Sequence, residues 1–135
     1  MTDFNERIID EFRANGGTVE TAGFGRSLVL LHHVGAKSGV ERVSPVMAIP
    51  SEHGWLVAAS KGGAPENPAW FHNLVAHPDA RVETPDGDEV EVHAVQLEGA
   101  AREAAWQLFL AKSPAFSQYE QRTSRTIPVV ELRRR

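Results

Sequence analysis

The 135-residue chain contains no cysteine. It therefore has no disulfide, thiolate nucleophile, iron–sulfur ligand or cysteine zinc site, and any redox chemistry has to come from a bound organic cofactor. Long apolar runs are also missing. Met1 to Asn15 is charged and lacks the apolar stretch of a signal peptide, and no later segment approaches a membrane span, so a soluble, unprocessed, cytoplasmic protein is expected. Basic charge is short: 14 Lys and Arg against 18 Asp and Glu leave a formal charge of −4, which argues against a general nucleic-acid binder. The Gly-x-Ser-x-Gly elbow, the Gly-x-Gly-x-x-Gly turn and the Walker loop are all missing, which removes the hydrolase, Rossmann and P-loop readings. The six histidines show no familiar metal spacing. His72 and His77 do not share a helix face, His32 and His33 point oppositely on a strand, and no metal is expected.

What is present suits one domain over residues 1–135, long enough for a single core. Phe4, Ile8, Ile9 and Phe12 recur at helical spacing before Gly16-Gly17, predicting an amphipathic helix within residues 1–16. Strand-like runs follow at Ser27 to Val34, Arg42 to Ile49 and Trp55 to Ser60. Pro68 opens a helix that ends near His77-Pro78, with Asn67 as its natural cap. Arg81 to Thr84 and Glu89 to Leu97 form a hairpin through Pro85-Asp86-Gly87, whose Asp-Gly step is a strong turn signal. Ala100 to Ala111 is a central helix, Pro114 breaks it before a short segment with Phe116 and Tyr119, and Ile127 to Leu132 closes the chain as a strand. The Arg133-Arg134-Arg135 tail reads as a solvated terminus able to touch an anionic membrane weakly. Antiparallel strands interrupted by helices predict an α+β barrel or sandwich.

Two basic glycine loops stand out: Gly35-Ala36-Lys37-Ser38-Gly39 and Ser60-Lys61-Gly62-Gly63. Glycine lets backbone N–H groups turn toward an anion, lysine adds a mobile charge and serine a hydroxyl, so together they suit a phosphorylated planar cofactor. Lys37, Ser38 and Gly39 are placed for its phosphate end, where Arg42 could add a bidentate contact, and a ring can lie beside Trp70. The plainer readings are ordinary hairpin turns, a solvated Lys61 and a Trp70 that anchors the core.

With Arg42 and Pro45 after the first loop, the Asn67-Pro68 to Trp70 to Asn73-Leu74 spacing after the second, and Tyr119, Thr123 and the closing Arg125-Thr126-Ile127-Pro128-Val129, the chain resembles the deazaflavin-dependent nitroreductase family from Asn5 to Leu132. The resemblance implies a split β-barrel of about six antiparallel strands with helices packed on it. It also implies the 8-hydroxy-5-deazaflavin coenzyme F420 as hydride donor to an electron-poor acceptor such as a quinone, an enone or a nitro compound. The cofactor-binding residues it implies are Lys37, Ser38, Gly39, Arg42, Pro45, Met47, Ala59, Ser60, Lys61, Gly62, Gly63, Asn67, Pro68, Trp70 and Asn73, with Tyr119 and Ser60 as catalytic residues. A monomer or homodimer is expected. An FMN-dependent split-barrel reductase and a non-catalytic deazaflavin-binding or storage protein stay open as alternatives.

Two departures stand against the family pattern. Ser113 and Phe116 occupy positions where relatives commonly hold tyrosine, leaving Tyr119 as the one phenol, and Ala36 stands where an arginine is frequent. The first bears on substrate range and the second on contacts to the cofactor tail.

Overall fold

The computed structural model describes residues 4–135, so the first three residues of the expected N-terminal helix lie outside it. Six strands close into an antiparallel barrel: β1 (Leu28–Val34), β2 (Glu41–Ser51), β3 (Gly54–Ala58), β4 (Asp79–Glu83), β5 (Glu89–Leu97) and β6 (Val129–Arg134), in the order β1-β2-β3-β6-β5-β4 with β4 returning to β1. Four helices surround it: α1 (Phe4–Ala14), α2 (Ala69–Ala76), α3 (Gly99–Lys112) and α4 (Ala115–Arg122). The α+β barrel expected from the alternation of short strands and helices is the fold observed.

Alternation along the strands sorts the core into an inside and an outside. Val29, Leu31, Val46, Ala48, Val57, Val82, Val92, Val130 and Leu132 fill the barrel, and α2 closes its upper mouth with Trp70, Phe71 and Leu74. On the outer wall, Ile8 and Phe12 of α1 cover Leu28 and Leu30. Trp106, Phe109 and Phe116 of α3 and α4 cover Leu56 and Val129 as a second outer cluster. The helical spacing of α1 exists to make that one apolar stripe. After it, Gly17 turns at φ +90, and a Cβ there would stand 2.3 Å from the Cα of Pro85, so only glycine lets this turn rest on the β4–β5 hairpin.

Element limits differ from the sequence reading mainly at strand ends. Strand β4 begins at Asp79 because it pairs with β5 as far as His93, and β6 runs to Arg134. The arginine tail is therefore no free terminus. Arg133 pairs with Glu131 at 2.6 Å, the Arg134 guanidinium lies 4.6 Å over Trp55, and Arg135 reaches Asp79 and Glu91 at 3.4 Å. Sheet pairing orders the segment, and nearby acids and an indole take its charges.

The ladders create one gap. Strand β2 pairs with β1 from Glu41 to Met47, but β3 covers only Ala48 to Ser51. Above that level no strand lies beside β2 on the β3 side among the described residues. The chain leaves β3 at Ala58 and turns through the second glycine loop, so both glycine loops lie at the upper end of the barrel, one on each side of this notch.

Candidate cofactor site

The first loop is the β1–β2 hairpin connection. Gly35 N–H donates to Val40 O and Gly39 N–H to Gly35 O, at 2.9 and 3.0 Å, and Gly39 takes φ +70, so the glycines serve the turn itself. Lys37, Ser38, Gly39 and Arg42 are exposed, and neither Lys37 nor Arg42 makes an ion pair or hydrogen bond through its side chain among the described residues. Pro45 and Met47 fall on the opposite face of β2 from Arg42, where they stand partly exposed beside α1. The set thus lines two faces of one strand at the notch, not one flat wall.

The second loop is a single 3-10 turn, Lys61–Gly63. Ser60 is right-handed helical (φ −78, ψ −37) and Lys61 has φ +46, a right-then-left pair that aims successive N–H groups to one side. The N–H groups of Ser60 and Lys61 and the Ser60 hydroxyl have no partner among the described residues. The loop carbonyls point the other way, onto Arg125. Its guanidinium donates to Ala59 O at 3.1 Å, Ser60 O at 3.0 Å, Ala64 O at 3.0 Å and the Asn67 Oδ1 at 2.6 Å. Lys61 Nζ meets Glu66 at 2.8 Å on the exposed rim, a pair that holds Glu66 below the usual carboxylate range. Gly63 has φ +84 and rests on α4: a Cβ would lie 2.9 Å from Tyr119 O.

Several of the expected ligand residues also have structural partners. Asn67 is not a helix cap, because Pro68 occupies the cap position and Arg125 takes the Asn67 amide oxygen. Ala59 is fully buried in the barrel, with its N–H on Pro128 O and its carbonyl on Arg125. Trp70 is a core anchor at 9% exposure. Asn73 is buried, accepting from Ala36 N–H and donating to His33 Nδ1, both at 2.9 Å. His33 completes the chain by reaching Ser44 Oγ at 2.9 Å, and burial, with Arg42 and His32 close by, pushes its pKa down to about 4.

Tyr119 is half buried. Its ring meets Phe116 edge-on at 5.7 Å and the Arg122 guanidinium at 5.9 Å, and its hydroxyl has no hydrogen-bond partner among the described residues. Below Met47 the outer face of β2 opens into a groove of about 460 Å³ lined by Phe24, Ser27, Met47, Lys112 and Ser113. Ser113 contributes one of the small side chains of that lining.

His32, Glu83 and Glu89 come together with their ligand atoms within 4.8 Å of one another, an arrangement that sequence spacing did not suggest. Guanidinium groups hold this cluster. Arg13 from α1 pairs with Glu83 at 2.7 Å, Arg81 approaches Glu89 at 3.9 Å and Glu41 at 2.8 Å, and His32 bridges Glu41 and Glu83. The network fastens α1 to the barrel.

The model of the F420H(2)-dependent quinone reductase family matches residues 6–133. The chain belongs to this family. An F420H(2)-dependent quinone reductase of Mycobacterium tuberculosis is 37% identical over 109 residues, covering 79% of this chain and 73% of that protein. A solved F420-H2 dependent reductase is 38% identical with a TM-score of 0.70, covering 79% of this chain and 94% of that one. A second solved structure, described as a domain-swapped dimer, is 35% identical with a TM-score of 0.72 over 93% of this chain and 95% of that one.

As a member of the F420H(2)-dependent quinone reductase family the protein is an F420-dependent oxidoreductase, as the glycine loops and the closing Arg125 to Val129 segment led the sequence reading to expect. No helix of the described residues is long and apolar enough to cross a membrane. Two residues that organise the site escaped sequence reasoning as functional. Arg125 was visible only as part of a motif, and His33 carried no signal beyond being a histidine in an apolar run.

Proposed function

We propose that this cytoplasmic enzyme oxidises F420H2 and reduces a quinone, with the cofactor lying across the notch between β2 and the second glycine loop. The observation that carries the reading is the pairing of free donors on both sides of that notch: unpaired Lys37 and Arg42 on one, the open Ser60 and Lys61 N–H groups on the other. Lys37, Ser38 and Arg42 suit a phosphodiester, since a guanidinium and an ammonium at a turn supply charge-assisted bonds without first breaking an ion pair. The loop N–H pair suits a polar ring edge that becomes more negative during reaction, because fixed dipoles need no reorganisation.

When bound, F420H2 would supply the hydride, chemistry that no side chain of this chain can provide. The protein's own part is to bind, orient and protonate. Arg125 holds the loop carbonyls back so that the N–H groups face the notch. Pro45 and Met47 present a partly exposed apolar wall, and the groove below Met47 receives the acceptor. After hydride arrives, the reduced acceptor needs a proton, and the unpartnered Tyr119 hydroxyl is the group assigned to deliver it, with Ser60 Oγ as a neutral donor at the loop.

The test is a fluorescence titration of F420 against the protein, with FMN as competitor, followed by single-turnover oxidation of F420H2 by a soluble quinone. Tight F420 binding with quinone-dependent oxidation is expected. Lys37→Ala and Arg42→Ala should each weaken binding by about 1 to 3 kcal/mol, the range for charge-assisted hydrogen bonds, while the apoprotein melts normally. Lys61→Ala keeps the loop N–H and removes an ammonium already paired with Glu66, so it should cost less. Preferred FMN binding would replace the cofactor assignment, and binding without turnover would leave a storage protein.

A further inference from the structure

Behind the first glycine loop lies a hydrogen-bond chain whose direction can be worked out from one donor. Ala36 N–H can only donate, so the Asn73 atom it meets at 2.9 Å is Oδ1 as an acceptor. The other end of that amide, Nδ2, can only donate, and it faces His33 Nδ1 at 2.9 Å. Nδ1 is therefore the accepting nitrogen, the ring proton sits on Nε2, and that N–H donates to Ser44 Oγ at 2.9 Å. One neutral tautomer satisfies the whole chain.

We propose that His33 is a positioning residue for the cofactor's anionic end, acting through Asn73 to hold the Ala36 to Gly39 turn in the shape that presents Lys37 and Arg42. This inference rests on the cofactor reading given above. Three facts support the link. His33 is 2% exposed and cannot itself touch a ligand at the surface. Its partner Asn73 sits on the helix that directly follows the second loop, so the chain ties both sides of the notch to one buried ring. A hydrogen on Nδ1 would face the Asn73 NH2 group, donor against donor, and turning the amide over would set NH2 against Ala36 N–H. The imidazolium is incompatible with the bond to the loop, in keeping with the burial and the nearby Arg42 guanidinium that resist it.

The two ring nitrogens can be replaced separately. Asparagine places its oxygen near the Nδ1 position and keeps an acceptor for Asn73, whereas glutamine reaches Ser44 and leaves Asn73 unmet, and phenylalanine keeps volume with no polar atom. His33→Phe and His33→Gln should raise the F420 dissociation constant about tenfold, the value of one lost buried hydrogen bond, with turnover at saturating F420H2 unchanged. His33→Asn should stay within about threefold of wild type, although it leaves more empty space in the wall. An affinity order that follows melting temperature instead, with Asn as poor as Phe, would overturn the proposal, as would wild-type affinity in the Phe variant.

Nitrogen-15 spectra of the ligand-free wild type provide a readout that needs neither cofactor nor mutation. They should show the Nε2–H tautomer of His33 and strong exchange protection at Ala36 N–H. A proton on Nδ1, or an unprotected Ala36, would overturn the inference even if every variant failed to fold. A wild type with this tautomer and protection that does not bind F420 would keep the hydrogen-bond chain, remove its cofactor role and point the failure at the functional reading.

Discussion

Gly63 and Tyr119 are in backbone contact: a Cβ on Gly63 would stand 3.0 Å from the Cα of Tyr119 and 2.9 Å from its carbonyl oxygen. The second glycine loop and the helix with the only phenol are therefore set at one fixed separation, with the Cβ of Arg122 equally close at 2.9 Å. Any substitution that pushes them apart moves the loop donors relative to the proposed proton donor.

Gly63→Ala meets that contact and also a φ of +84, which L side chains rarely adopt. It should destabilise the protein by about 1 to 3 kcal/mol and reduce both cofactor affinity and turnover. Gly39→Ala has φ +70 but open space around the new methyl, so it serves as a control for backbone strain alone. Urea melts of the two variants beside wild type check this, and equal losses would show that the contact with α4 contributes nothing.

Arg125→Lys keeps the charge but cannot reach four acceptors at once. Buried carbonyls left unmet should cost about 2 to 4 kcal/mol, and the second loop should lose definition. The expected signature is a lower melting temperature together with weaker F420 binding. Normal binding in the Lys variant would mean that the loop holds its shape through Gly63 and the β3–β6 edge alone.

Tyr119→Phe removes only the hydroxyl and keeps the edge contact with Phe116. If that hydroxyl protonates the reduced acceptor, turnover should fall about 100-fold or more, while F420 affinity stays near wild type. Stopped-flow oxidation of bound F420H2 across a pH series tests it. An unchanged rate with every quinone tried assigns the proton to solvent or to Ser60.

His33 predicts an acid limb in stability. Its pKa of about 4 in the fold lies below the ordinary value of 6.5, so between these limits the unfolded chain binds the extra proton. Stability is therefore full above about pH 6.5 and is lost as pH falls through 4, by about 3 kcal/mol in total. The paired carboxylates Glu41 and Glu83, lowered first by their hydrogen bonds to His32 and Arg13 respectively, act in a more acid window. Denaturant midpoints from pH 7 to pH 4 should fall for wild type and stay flatter for His33→Phe. A wild-type curve that is level down to pH 5 would mean that His33 carries its proton in the fold.

Much of the architecture is legible in the sequence, because it is encoded locally. Apolar spacing marked α1, alternation marked β5, and the Asp86-Gly87 step marked its hairpin, all patterns read within about ten residues. The two glycine loops and the Arg125 to Val129 segment carried the family. Tertiary structure alone decided what those residues do. Asn67 is 58 positions from the Arg125 that claims it, Ala36 is 37 from Asn73, and Asn73 is 40 from His33. The cap that Asn67 was expected to form lost to a guanidinium delivered by the end of the chain, and Trp70 turned into the barrel because α2 closes its mouth. Periodicity reports which face of a segment is apolar. It is silent on which distant donor arrives at that face, since that depends on barrel closure and on the register of strands far apart in the chain.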